Sequence, residues 1–189
     1  MSELATTYPQ VQPNQVSPPQ ATQAPTQSFV GFRLGSQVRI AVEQHRVREA
    51  IPLAQFPITK VPGISSVCTG ILLWRGQFLW AVDLGALFKR WDAQFSLQLL
   101  PYQEGLVIQG SLPWVLLIHE RETIVRISPQ QIKPISSHFR HHALFPAWIP
   151  STFAEDPNSA LKSNQLILDL DFCCRWIQQL DPLIEQIDH

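Results

Sequence analysis

Apolar and polar residues alternate with period two in several stretches between positions 29 and 127, the spacing of strands that bury one face. Phe29-Val30-Gly31-Phe32-Arg33-Leu34 and Val38-Arg39-Ile40-Ala41-Val42 both lean toward it, and Gly35-Ser36-Gln37 supplies turn chemistry between them, so the pair predicts a β-hairpin. Residues 44–50 are ambiguous. Val47 and Ile51 stand four apart, which suits one helical turn or a bent strand equally. Pro52, Pro57 and Pro62 then break any regular element. The densest signal is Cys68-Thr69-Gly70-Ile71-Leu72-Leu73-Trp74-Arg75-Gly76-Gln77-Phe78-Leu79-Trp80-Ala81-Val82-Asp83-Leu84. Two apolar, aromatic-rich strands flank Arg75-Gly76, where glycine takes the positive φ that a tight hairpin demands. Residues 84–90 follow as a short helix.

A third hairpin is predicted from Leu106-Val107-Ile108 and Trp114-Val115-Leu116-Leu117-Ile118, turning at Gln109-Gly110-Ser111, with residues 123–127 as a further strand. Ser128-Pro129-Gln130-Gln131 sets a capping serine before a proline, the signature of a helix start. Residues 136–164, rich in His, Pro, Ser and Asn, read as an extended surface loop. Gln165-Leu166-Ile167-Leu168-Asp169-Leu170 then reads as a strand and residues 172–180 as a helix. Many short strands, closely spaced turns and few helices point to small β-barrels rather than a parallel α/β sheet.

Composition bounds the molecule further. The chain has 189 residues, 45% of them apolar, enough for a packed core. Residues 1–28 are dominated by Pro, Gln, Thr, Ser and Ala, with Glu3 the only charge and Tyr8 the only aromatic, and predict a disordered leader. The folded part is expected over residues 29–181, with 182–189 as a tail. The formal net charge is -1 and the charges are scattered, so there is no electrostatic footprint for nucleic acid or anionic lipid. No apolar stretch approaches the roughly 20 residues needed to cross a bilayer. The odd cysteine count, with Cys173 and Cys174 adjacent, argues against a disulfide framework and suits the reducing cytoplasm, where the protein is expected.

Candidate chemistry is sparse. His138, His141 and His142 raise a zinc site, but catalytic zinc takes three protein ligands at fixed spacing and nothing like His-Glu-x-x-His occurs. Cys173 and Cys174 fall in the apolar pattern Phe172, Cys173, Trp176, Ile177, which packs one inward and turns the other outward. The preferred reading is a solvated histidine loop, with a metal-dependent enzyme using residues 138–142 as the remaining catalytic alternative. Asp169 and Asp171 bracket Leu170 as an acid pair would; the simpler reading has Asp171 capping the following helix and Asp169 facing solvent. There is no G-x-S-x-G, P-loop, G-x-G-x-x-G or kinase signature. No catalytic residue, metal ligand or cofactor site is therefore expected.

One ordered set of segments remains: Val47-Arg48-Glu49, Ile58-Thr59-Lys60-Val61-Pro62, Gly70-Ile71-Leu72-Leu73-Trp74-Arg75-Gly76 and Val82-Asp83-Leu84. In order and spacing it resembles the signature of the CheW-like adaptor family, and the likeness runs from about residue 29 to 180 through Ser128-Pro129-Gln130-Gln131-Ile132-Lys133-Pro134 and Leu166-Ile167-Leu168-Asp169-Leu170-Asp171. The resemblance implies a mainly β fold of two small five-stranded SH3-like barrels around a shared core, with short helices and a C-terminal helix. It implies a non-enzymatic adaptor that binds the cytoplasmic tip of a methyl-accepting chemoreceptor and the regulatory domain of a CheA-type histidine kinase. A protein binding the kinase alone, as a competitor, is the alternative. Val47, Glu49 and Arg75 match the family's partner-contact positions, while Gly70, Gly76 and Asp83 match positions of structural use. Arg75 carries a planar donor fork suited to a partner carboxylate; whether Glu49 pairs with it inside the molecule is open. Leu73 stands where the family usually has asparagine and Trp80 where it often has proline, as in adaptors of pilus-driven motility and phototaxis.

Overall fold

The computed structural model describes residues 26–35, 38–91, 101–135, 149–154 and 164–180. The first hairpin forms as expected from β1 (Gln27–Leu34) and β2 (Val38–Glu43). It begins earlier than the composition suggested: Gln27 and Ser28 are already paired with Ile127 and Arg126, because their backbone extends an existing ladder and needs no apolar side chain. Residues 1–25 of the expected leader lie outside the described residues, as does the expected tail.

The ambiguous segment contains both candidates in series, a 3-10 turn at Gln44–Arg46 and then β3 (Val47–Pro52). A second 3-10 turn, Leu53–Gln55, follows Pro52. β4 (Cys68–Trp74) and β5 (Gln77–Asp83) make the aromatic-rich hairpin, and α1 (Leu84–Trp91) follows directly. β6 (Glu104–Ile108), β7 (Trp114–Ile118) and β8 (Glu120–Ile127) complete the central region. Ser128-Pro129 opens only a 3-10 turn, Pro129–Gln131, in which the Gln131 side chain accepts from the Ser128 N–H at 2.9 Å. It does not grow into a helix, since Pro134 lacks the donor the next turn would need. Lys133–Pro134 instead forms the short strand β9.

The stretch read as a loop holds a further strand, β10 (Ser151–Ala154), paired with β11 (Asn164–Ile167). The chain closes on α2 (Leu170–Leu180). The strands form two sheets, in the orders β8-β1-β2-β11-β10-β9 and β3-β6-β7-β5-β4. The first has six strands rather than five, the extra one being β9. Parallel pairs β2–β11 and β5–β7 complete the ladders between hairpins.

Each sheet curls around its own cluster. In the five-stranded sheet, edge strands β3 and β4 send Ile51, Leu72 and Trp74 into the cluster that also holds Leu79, Val107 and Leu117, so the sheet wraps round although its edges are not joined by a ladder. Phe29, Ala41, Ile127, Phe153 and Ile167 fill the six-stranded one. The opposite faces meet in a larger shared core, to which Phe32 and Ile40 contribute from one sheet, Val82 and Leu116 from the other, Leu87 from α1 and Cys173 and Ile177 from α2. Cys174 is buried along with Cys173 rather than turned outward, its sulfur 3.7 Å from the Ser111 hydroxyl.

Candidate functional site

The β4–β5 connection is a two-residue turn, since Trp74 pairs directly with Gln77. Both turn residues have positive φ, +50° at Arg75 and +81° at Gly76, as the primed hairpin turns that match strand twist require. Glycine accepts this freely. Arginine does not, and a left-handed non-glycine residue costs about 1 kcal/mol.

The Arg75 guanidinium lies 4.8 Å from the centre of the Trp74 ring and its NH2 is 2.6 Å from the Glu49 carboxylate on β3. Arg48, next to Glu49, places its own guanidinium 5.3 Å from the same ring. These side chains therefore span the seam between the edge strands β3 and β4 that no backbone ladder joins. Arg75 is still 69% exposed in this arrangement. Val47 is half-buried and packs against the shared core, separated from Glu49 by a bulge in the β3–β6 ladder. The fold thus brings Glu49 and Arg75 into contact and sets Val47 against the core beside them.

The other three residues singled out occupy backbone-critical positions. Gly70 (φ +151°) sits at a bulge where an added Cβ would lie 2.2 Å from the Thr59 carbonyl oxygen. That carbonyl accepts from the Ile71 N–H at 2.9 Å, and the Thr59 N–H donates back at 2.7 Å, which seats residues 58–60 along the outer edge of β4. Asp83 caps α1, accepting from the Ala86 N–H at 2.9 Å, and accepts also from the Tyr102 hydroxyl. Burial, reinforced by that bond, pushes the Tyr102 phenol well up from its ordinary value.

At the start of α2 the acid pair separates into two roles, opposite to those expected. Asp169 caps α2, accepting from the Phe172 N–H at 2.9 Å, while Asp171 takes both arms of the Arg46 guanidinium at 2.5 and 3.0 Å. A hydrogen bond from Arg46 holds the Asp171 carboxyl below its usual range. The side chain that caps is the one just before the helix, because only there does the carboxylate reach the free N–H groups of the first turn.

Leu73 and Phe78 are each 54% exposed and stand directly opposite one another across β4 and β5. The alternation marks both as outward-facing but cannot say that nothing covers them. The cavity beside Arg48 measures about 170 Å³, smaller than the several hundred Å³ typical of small-molecule sites. A larger one of about 330 Å³ borders Arg46, Glu43 and Asp169. His138, His141 and His142 lie outside the described residues, and no group of three or more metal-ligating side chains occurs among the described ones. Nor is any described helix long and apolar enough to cross a membrane. What this geometry offers is an exposed surface of arginine, carboxylate, leucine and phenylalanine side chains, suited to holding another protein.

Comparison with known proteins agrees in kind. Residues 28–150 match the family model described as the CheW-like domain. The fold is similar to the crystal structure of the scaffolding protein TtCheW from Thermoanaerobacter tengcongensis, with a TM-score of 0.57, 15% identity, and coverage of 76% of this chain and 88% of that one. No curated protein matches the sequence.

Proposed function

The chain belongs to the CheW-like domain family, and from that premise we propose that it is a non-enzymatic adaptor coupling a methyl-accepting chemoreceptor to a CheA-type histidine kinase. The reading extends to bacterial taxis or pilus-driven motility as the setting and the cytoplasm as the location. The observation that carries it is Arg75. An arginine held in left-handed backbone, where glycine or asparagine would be easier, yet 69% exposed, is accounted for by its side chain rather than by the turn. Its guanidinium is exposed over the Trp74 ring with Glu49 fixing its direction, and the same hairpin carries the exposed apolar pair Leu73 and Phe78. Arginine and aromatic side chains on one exposed hairpin are the composition of interface anchors.

The experiment measures affinity of the full chain for a kinase regulatory domain and for a receptor-tip fragment, with Arg75→Ala, Glu49→Ala and the double variant. An anchoring arginine costs about 2 kcal/mol on truncation, roughly thirtyfold in affinity. Because Glu49 and Arg75 touch, the double variant is expected to bind about as poorly as Arg75→Ala alone. Wild-type affinity for both partners in all three variants overturns the reading. Kinase binding with no receptor binding in the wild type replaces it by the competitor role.

A further inference from the structure

His119 follows β7 and is only 3% exposed, so an imidazole sits where the surrounding pattern is apolar. Its Nδ1 accepts a hydrogen bond from the Gly35 N–H at 3.1 Å. An accepting Nδ1 carries a lone pair, which in a neutral imidazole places the proton on Nε2. Nε2 is buried and hydrogen-bonds to none of the described residues. The His119 backbone N–H donates to the Arg33 carbonyl at 3.3 Å, and the ring packs on Tyr102 with centroids 4.5 Å apart. Tyr102 in turn donates to Asp83, the cap of α1. A continuous chain of contacts therefore runs from the end of β1 in one barrel to the start of α1 in the other.

We infer that His119 is an acid-sensitive latch between the two barrels, holding the Gly35 end of the first hairpin while neutral and releasing it on taking up a proton. The chemistry follows from donor and acceptor count. The only nitrogen available for the proton is Nδ1, and once protonated it faces the Gly35 N–H donor to donor. The titratable and charged groups around it offer no rescue. Tyr102 stands between the ring and Asp83 and already spends its hydroxyl there; Arg33 is a cation that faces Glu120 and Glu122 on β8; Glu104 on β6 pairs with Arg121 at 3.2 Å. A buried cation without a hydrogen-bonded anion is costly, and freeing Gly35 from the ring is the nearest relief. Gly35 has φ +64°, a conformation glycine enters and leaves at little cost, and the imidazole holds its amide.

The test uses ¹⁵N NMR on the intact chain. Long-range imidazole spectra at neutral pH are expected to place the His119 proton on Nε2, and a proton on Nδ1 overturns the inference outright. Hydrogen exchange of the Gly35 amide is then followed as pH is lowered, against the intrinsic trend of an exposed amide. Loss of one hydrogen bond corresponds to roughly fivefold lower protection, and that drop is expected to track protonation of His119 in the wild type. His119→Asn keeps an acceptor oxygen near the Nδ1 position and does not titrate, so its Gly35 protection is expected to be independent of pH. His119→Phe, which lacks the acceptor, is expected to show low protection at every pH. Equal pH dependence in wild type and His119→Asn, or Gly35 protection unchanged while His119 charges, overturns the latch. Because no binding partner enters the experiment, its outcome is separate from that of the adaptor reading.

Discussion

At the scale of single residues, the two glycines within the β4–β5 hairpin make a sharp contrast. Both have positive φ, so both resist a side chain, but only Gly70 also has backbone where a Cβ would go, with the Thr59 oxygen at 2.2 Å. Gly76 looks onto open space. Gly76→Ala is therefore expected to cost about 1 kcal/mol, the left-handed penalty alone, and Gly70→Ala about 3 kcal/mol or more, because residues 58–60 must leave the edge of β4 as well. Denaturant melts of the two variants measure this directly, and equal costs would show that the edge yields without loss. The same contrast bears on Arg75. Replacing it by glycine relieves its backbone while removing its fork, so Arg75→Gly should melt no earlier than Arg75→Ala yet bind partners as poorly. Asp169 and Asp171 show where residue-level reading stops. Either could cap the next helix on type alone, and the choice depended on where α2 begins, two residues earlier than the apolar period suggested, and on Arg46 arriving from another part of the chain to claim Asp171.

At the scale of elements, the six-stranded sheet holds a polar knot. Glu122 on β8, 12% exposed, accepts from Arg33 on β1 at 3.1 Å, from Arg39 on β2 at 2.7 Å and from Gln165 on β11 at 3.0 Å, joining four adjacent strands. Burial opposes its charge, but hydrogen bonds from Arg39 and Arg33 outweigh burial and hold the carboxyl below its ordinary value of 4.5. A lowered folded value means the stabilisation is fully present above that ordinary value and is lost as pH falls through the lowered one. Glu122→Gln is expected to cost about 2 kcal/mol at neutral pH and nothing further in acid, so its stability and that of the wild type should converge as pH falls from the ordinary value through the lowered one. Parallel stability curves would show that Glu122 is not what the arginines require. This knot was invisible in the sequence, because its members lie up to 132 residues apart on strands whose order includes the parallel β2–β11 pair. Hairpins were legible for the opposite reason: their partners are neighbours in the chain and glycine marks the turns. β10 was missed because four residues are too few to show a period, and its own hairpin partner lies beyond a polar stretch.

At the scale of the whole molecule, the order of elements makes the barrels dependent on one another. The six-stranded sheet takes β1 and β2 from one end of the chain and β8 to β11 from the other, with the five-stranded sheet inserted between them. The shared core is larger than the cluster inside either sheet and draws on both, on α1 and on α2. Arg46 adds a polar tie there, its Nε donating to the Gln109 carbonyl at 3.1 Å while its two NH groups hold Asp171. An isolated barrel would expose one whole apolar face, so neither is expected to persist alone, and unfolding should be a single transition. Leu116→Ala, which empties a fully buried site in the shared core, is expected to cost about 2–5 kcal/mol. The telling measurement is where that loss appears. Hydrogen exchange should show amides of β1 and β2 losing protection by the same amount as those of β5 and β7, although Leu116 belongs to β7 alone. Loss confined to the five-stranded sheet would mean that the barrels unfold separately and that the shared core joins two units each stable by itself.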